Sequence, residues 1–247
     1  MILPDGLPAG VSALSTTRSG GVSTGPWVSL NLGDACGDDP AAVSENRRRL
    51  QQRLPGPPHW LRQVHGTRVI HLDEWQPGIE ADAAWSDRRG AVLAIQTADC
   101  LPVLLADGQA RLVAAAHAGW RGLAANVLGR LVEALPVAPA GLSAWIGPGI
   151  GPEHYVVGEP VRTAFLALGS DLAGGFELAA DGCLHADLKW IARRLLERAG
   201  VGRVHDCRLC TAADPTRFFS YRRDGRCGRM ASMIWLGRGE EQARSFG

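Results

Sequence analysis

Three side chains able to hold a soft metal ion interrupt otherwise apolar sequence. His65 stands in Arg62-Gln63-Val64-His65-Gly66, Cys100 in Thr97-Ala98-Asp99-Cys100-Leu101-Pro102, and His117 in Ala116-His117-Ala118-Gly119-Trp120-Arg121-Gly122. Each lies where an apolar run ends beside Gly, Pro or Asp, and rigid elements commonly present site residues at such ends. Two imidazoles and one thiolate make a three-ligand zinc set with the fourth tetrahedral position left for water or substrate. Zinc held this way lowers the pKa of a bound water to ~7. The same trio fits covalent chemistry, with Cys100 as thiolate nucleophile, His117 as its base, and Asp99 or a backbone group orienting the ring. His65 precedes Cys100 by 35 residues and Cys100 precedes His117 by 17, so no local geometry forces them together. A buried cysteine is also an ordinary small core residue. Metal content decides between the two chemistries.

Cys207-Arg208-Leu209-Cys210 is a CxxC that Cys227 or His205 would have to complete as a zinc knuckle. A second CxxC is missing, so these thiols, with Cys36 and Cys183, are read as structural or incidental. The remaining histidines, at 59, 71, 154, 185 and 205, have no assignable partner and are read as surface or structural. Three arginines sit in turn-rich sequence suited to an anion: Arg121, four residues after His117; Arg222, followed by Arg223, after Phe218-Phe219-Ser220-Tyr221; and Arg18 in Thr17-Arg18-Ser19-Gly20-Gly21. Arg121 is expected just before a helix, where backbone N–H groups and a guanidinium together suit phosphate. The plain alternative for each is a surface ion pair.

Four helices and six strands are expected to position these residues. Asp39-Pro40 opens a helix from Ala41 to Leu54, and the apolar spacing of Leu123, Val127, Leu128, Leu131 and Leu135 marks a second. A third covers Pro160–Leu168, and a fourth runs from Asp187 to a stop at Gly200. Apolar runs at Arg68–Leu72, Val92–Thr97, Pro102–Ala106, Leu112–His117, Leu142–Ile146 and Ala231–Leu236 read as strands. They lack regular βαβ spacing, so an α/β sandwich with mixed sheets fits better than a doubly wound sheet.

The whole chain of 247 residues bounds these readings. No linker divides it, and residues 1–247 are expected to form one domain. Its 26 basic and 25 acidic residues leave no general footprint for nucleic acid or membrane. Lys189 is the single lysine, so a phosphate-binding cation here is an arginine. No apolar stretch reaches 18 residues, and the N-terminal segment reads as no secretory signal, so the expected location is the cytoplasm with reduced cysteines.

Taken together, the motifs resemble the YfiH/YlmD-type family, also known as polyphenol oxidase or laccase-domain proteins, purine nucleoside phosphorylases and peptidoglycan editing factors. The resemblance rests on Thr17-Arg18-Ser19-Gly20-Gly21-Val22-Ser23, Leu30-Asn31-Leu32-Gly33, Gln63-Val64-His65-Gly66 and Ala98-Asp99-Cys100-Leu101-Pro102. It continues through His117-Ala118-Gly119-Trp120-Arg121-Gly122, Gly147-Pro148-Gly149-Ile150-Gly151 and Phe218-Phe219-Ser220-Tyr221-Arg222-Arg223. It implies a single-domain α/β/β/α sandwich and zinc on His65, Cys100 and His117. It also implies phosphorolysis of adenosine, inosine, guanosine and methylthioadenosine, and deamination of adenosine. Asp99 and Arg121 are the expected catalytic residues, and Arg18, Asn31, Gln63 and Arg222 the expected contacts to nucleoside and inorganic phosphate. Copper is the less favoured metal, because a multicopper oxidase needs many clustered histidines and the seven here are scattered without a His-x-His pair. Two other readings stay open: a peptidoglycan-precursor editing hydrolase using the same Cys/His/zinc site, and a non-catalytic redox-responsive binding protein. Oligomeric state is not readable.

Overall fold

The computed structural model describes residues 1–180 and 182–237. Two sheets pack face to face. The smaller has the order β1 (Val11–Ser15), β13 (Met230–Leu236), β5 (Val92–Thr97), β2 (Pro58–Trp60). The larger has the order β12 (Arg203–Asp206), β8 (Leu142–Ile146), β6 (Leu101–Asp107), β7 (Val113–Ala118), β4 (Ala83–Ser86), β3 (Val69–His71). A small third sheet joins β10 (Phe176–Leu178), β11 (Leu184–Ala186) and β9 (Val156–Val157). Parallel pairs (β2–β5, β3–β4, β8–β12) alternate with antiparallel ones, so the two large sheets are mixed.

Alternation along the central strands explains the layering. Leu104 and Ala106 of β6, with Val113 and Ala115 of β7, face Leu93, Ile95, Ile234 and Leu236 of the smaller sheet. Their neighbours Leu101, Val103, Leu105, Ala114 and Ala116 face the helices. A strand buried on both sides reads as a continuous apolar run, and each fully buried Leu or Ile stabilises the fold by roughly 1.5–3 kcal/mol. Helices α2 (Trp120–Ala124), α3 (Val127–Ala134), α4 (Glu159–Leu166) and α5 (Leu188–Arg198) join that second core. Helix α1 (Pro40–Gln51) places Leu50 against the outer face of the smaller sheet, over Val92, Ala94 and Met233. The result is the expected α/β/β/α sandwich.

Three features bear on the site. The helix expected from Leu123 to Leu135 is two helices. Asn126 adopts left-handed backbone (φ 63°, ψ 41°) and its side chain accepts from Gly129 N, capping α3. Arg121 therefore lies inside the first turn of the short helix α2 rather than ahead of a long one. Second, β5 and β6 are not neighbours in one sheet, because Ala98-Asp99-Cys100 carries the chain from the smaller sheet to the larger. Third, the segment Pro55-Gly56-Pro57 leads directly into edge strand β2, whose first residue is Pro58. Proline is tolerated at that position because an edge strand's first residue needs no ladder donor. Among the described residues no helix is long and apolar enough to cross a membrane.

Candidate active site

The sheet-to-sheet crossing brings the three ligand residues together. Leu101 pairs with Ala118 and Pro102 with His117, so the start of β6 sets Cys100 beside the end of β7. His65 comes from the loop between β2 and β3. Its Nε2 lies 3.8 Å from Cys100 Sγ, and its ring stands edge-on to His117 at 4.7 Å between centroids. The ligating atoms of all three lie within 4.8 Å of one another, and among the described residues this is the group of His, Cys, Asp or Glu that could hold a metal. Gly119 makes the approach possible. A Cβ there would lie 2.8 Å from Cys100 Sγ and 3.0 Å from His65 Cδ2, too close for either to stay in place.

Asp82, which the sequence reading missed, organises the cluster. It is fully buried immediately before β4. Its Oδ1 lies 2.8 Å from His117 Nδ1, leaving Nε2 of that ring for the cluster. Its carboxylate also accepts from the backbone N–H groups of Val64, His65 and Gly66 at 3.2, 2.9 and 2.7 Å. These bonds hold His65 in left-handed backbone (φ 61°), which costs a non-glycine residue about 1–2 kcal/mol. Asp82, rather than Asp99 or a backbone group, orients the His117 ring. The signal in sequence was slight: a lone aspartate in Glu80-Ala81-Asp82-Ala83-Ala84 heading an apolar stretch.

Charge is distributed accordingly. Burial resists ionisation of the Cys100 thiol, but hydrogen bonds from His117 and His65 and the positive charge of His117 outweigh it and bring the thiol down to about 6. Burial likewise opposes a charged His117, yet its bonds to Asp82 and Cys100 raise it to about 9. Burial would raise Asp82, and the bonds from His117 and the Gly66 N–H hold it below the usual carboxylate range. These shifts favour a thiolate, an imidazolium and a carboxylate in line across Cys100, His117 and Asp82.

The three residues open into a cavity of about 840 Å³, lined also by Gln63, Asp99, Arg121, Tyr155 and Arg222. Arg121 packs its guanidinium over the Trp120 ring at 4.6 Å and has no hydrogen-bond or ion-pair partner among the described residues. Arg222 donates to Val156 O at 2.7 Å and covers the Tyr155 ring at 4.9 Å.

Asp99 and Gln63 line the cavity with their side chains engaged by protein. Asp99 Oδ1 accepts from Thr211 Oγ1 at 2.6 Å, and Oδ2 accepts from Ser220 Oγ at 3.0 Å and Arg222 N at 2.6 Å. It thereby ties the Arg222 turn to the Cys100 corner. Gln63 donates to Gln96 O and accepts from Gln96 N, continuing the β2–β5 ladder where β2 has ended. Gly149 lets the glycine-rich segment pass this corner, since a Cβ would meet Leu101 Cδ2 at 2.4 Å and Asp99 O at 3.1 Å.

Arg18 and Asn31 are not among the cavity-lining residues. Arg18 donates to Val28 O and Pro215 O and stacks on Phe219. Asn31 is fully buried, with its amide spent on Gly33, Asp38 and Arg229 N. In the CxxC segment, Cys210 Sγ accepts from Gly151 N, while Cys207 lies 3.9 Å from Lys189 Nζ.

A family model described as multi-copper polyphenol oxidoreductase laccase matches residues 12–237. A purine nucleoside phosphorylase of Pseudomonas aeruginosa is 50% identical over 230 residues, covering 93% of this chain and 95% of that protein. The purine nucleoside phosphorylase YfiH of Escherichia coli is 48% identical, with 93% and 95% covered. A crystal structure of a Neisseria meningitidis protein superposes with a TM-score of 0.92 at 45% identity, covering 96% of this chain and 98% of that one. YlmD from Geobacillus stearothermophilus superposes at 0.85 with 33% identity, covering 93% of each.

Proposed function

The chain belongs to the multi-copper polyphenol oxidoreductase laccase family, and from that premise we propose that it is a zinc-dependent purine nucleoside phosphorylase working in the cytoplasm. Its proposed substrates are adenosine, inosine, guanosine and methylthioadenosine with inorganic phosphate, and it also deaminates adenosine. The observation that carries the reading is Arg121, a cation without an acidic partner among the described residues, on the wall of the cavity that holds the His/Cys/His cluster. A cavity for neutral purines alone would not call for it. The relatives named purine nucleoside phosphorylase at 48–50% identity supply the substrate class.

The donor set fits zinc. A thiolate and two imidazoles are soft to borderline ligands, and the 3.8 Å between Sγ and Nε2 is close to the ~3.5 Å separating two donors on one tetrahedral zinc. His65, Cys100 and His117 would hold zinc, which would supply a Lewis acid beside the cavity. The trio suits a mononuclear site, whereas a multicopper oxidase needs a type 1 site and a trinuclear cluster. Copper(I) would also accept a thiolate, and elemental analysis separates the two.

In phosphorolysis a phosphate oxygen bonds to C1′ of the sugar as the bond from C1′ to the base breaks. Arg121 holds the attacking phosphate through paired N–H donors, and Arg222, over the Tyr155 ring, lends its charge. Asp99, expected to be catalytic, serves instead as a positioning residue for the Arg222 turn. Gln63 fixes the strand edge beside the ligands. Arg18 and Asn31 act on loop structure and not on substrate. In deamination, water adds at C6 of adenosine and ammonia leaves.

Purified protein given inosine and phosphate should release hypoxanthine and ribose-1-phosphate. Arg121→Ala should raise the KM for phosphate about tenfold, by loss of a charge-assisted contact worth about 1.5 kcal/mol, with a smaller change for nucleoside. An unchanged phosphate dependence would remove Arg121 from the site. A second reading is favoured by the Cys100–His117–Asp82 chain, which resembles a nucleophile–base–orienter relay. A metal-free protein that cleaves a peptidoglycan precursor and leaves nucleosides untouched would establish it.

A further inference from the structure

Phosphorolysis must stabilise two developing charges, and the residues assigned so far address only one. Arg121 and Arg222 meet the phosphate. The departing purine also gathers negative charge as the glycosidic electron pair moves onto its ring, and neither arginine is needed there. Tyr155 lines the same cavity. It is 8% exposed, with its ring packed in the larger apolar core. Its backbone is pinned on both sides, by the bond from its N–H to Pro152 O and the bond that its carbonyl accepts from Ala186 N. Its hydroxyl has no hydrogen-bond partner among the described residues and is not enclosed by protein, so it is free to donate to a bound molecule. The neighbouring wall is Ile150, buried and apolar, which suits a flat base better than a phosphate.

We infer that the Tyr155 hydroxyl is a catalytic hydrogen-bond donor to the leaving purine. This deepens the phosphorolysis reading and rests on it. As the bond from C1′ to the base breaks, both its electrons go to the base and a phosphate oxygen bonds to C1′. The base leaves as an anion held by the phenol O–H, and the proton released by hydrogen phosphate ends on the base through solvent. Burial pushes the phenol above its ordinary value, so it remains a donor throughout the neutral range. Arg222 over its ring fixes the ring plane.

The test compares guanosine with 7-methylguanosine, whose base already carries a positive charge and leaves as a neutral species without help. Tyr155→Phe keeps the ring and removes only the donor. It should lower kcat for guanosine about 100-fold, as expected for loss of a donor to the leaving group. It should lower kcat for 7-methylguanosine less than about threefold and leave the KM for phosphate unmoved, and that retained turnover shows the variant is folded. Equal loss on both nucleosides, no loss on either, or a raised phosphate KM would each overturn the assignment. Wild-type protein that turns over neither nucleoside with phosphate would sink the phosphorylase reading, and this inference with it. Wild-type turnover without the differential sinks the inference alone.

Discussion

Cys100 and Cys207 are the same residue in opposite circumstances. Both are partly buried, and each has a basic neighbour. Cys100 faces two imidazoles, one of them charged through a fully buried aspartate, and its thiol falls to about 6. Cys207 faces the ammonium of Lys189 at 3.9 Å, yet burial wins and its thiol is pushed above the ordinary value. The reason is where the neighbour's charge is spent. Lys189 donates to Asp206 Oδ1 at 3.1 Å and Leu209 O at 3.0 Å, so little of its field is left for sulfur. Reactivity of a thiol here follows what its neighbours are already bonded to, not whether it sits in a CxxC.

The sharpest way to break this contrast is to remove each sulfur in turn. Cys100→Ala should lose stoichiometric zinc and at least about 10³-fold in phosphorolysis, since two imidazoles alone leave a three-ligand site incomplete. Cys207→Ala should keep its zinc and stay within about twofold in rate, as a surface or incidental thiol would. Elemental analysis and a phosphorolysis assay read both variants. Zinc retained by Cys100→Ala would place the metal elsewhere. A smaller loss is expected of Asp82→Asn, which weakens the bond that fixes the His117 tautomer. Outer partners of this kind are worth about 10–100-fold in metal affinity, measured by competition with a chromogenic chelator.

The same contrast explains what was legible before the structure. The apolar runs gave the central strands nearly to the residue, because a strand buried on both faces needs nothing but apolar side chains. The helices at Asp39-Pro40 and Asp187 were readable because their caps are chemical signals: each aspartate accepts from a backbone N–H in the first turn. The break at Asn126 was hidden, since the apolar spacing of Leu123, Val127 and Leu131 continues across it. The short strands β2, β4 and β12 carry three or four residues each, too few for a period to show. At the site, His65, Cys100 and His117 stood out as polar residues ending apolar runs. Asp82 did not, because its importance lies in four hydrogen bonds to partners 16–35 residues away. Arg18 and Asn31 sit in equally conspicuous motifs, yet those motifs close loops.

Alkylation of metal-stripped protein gives the smallest expected effect and the most direct reading of the two thiols. At pH 7 a thiol near 6 is about nine-tenths thiolate, whereas the raised Cys207 thiol stays protonated. Part of that advantage is lost, because intrinsic nucleophilicity falls as pKa falls. Cys100 should still react with iodoacetamide faster than Cys207 at pH 7, with the sites resolved by peptide mass spectrometry. The pH profiles separate the two more cleanly than the rates. A lowered pKa means the thiolate is already formed above it, so Cys100 labelling should level off above pH 7 and fall about tenfold per unit below 6. A raised pKa puts the Cys207 thiolate out of reach at neutral pH, and its labelling should still be climbing at pH 9. If Cys100 followed the Cys207 profile, the imidazoles would not be charging it, and the buried Asp82–His117 bond would have no electrostatic consequence for the sulfur.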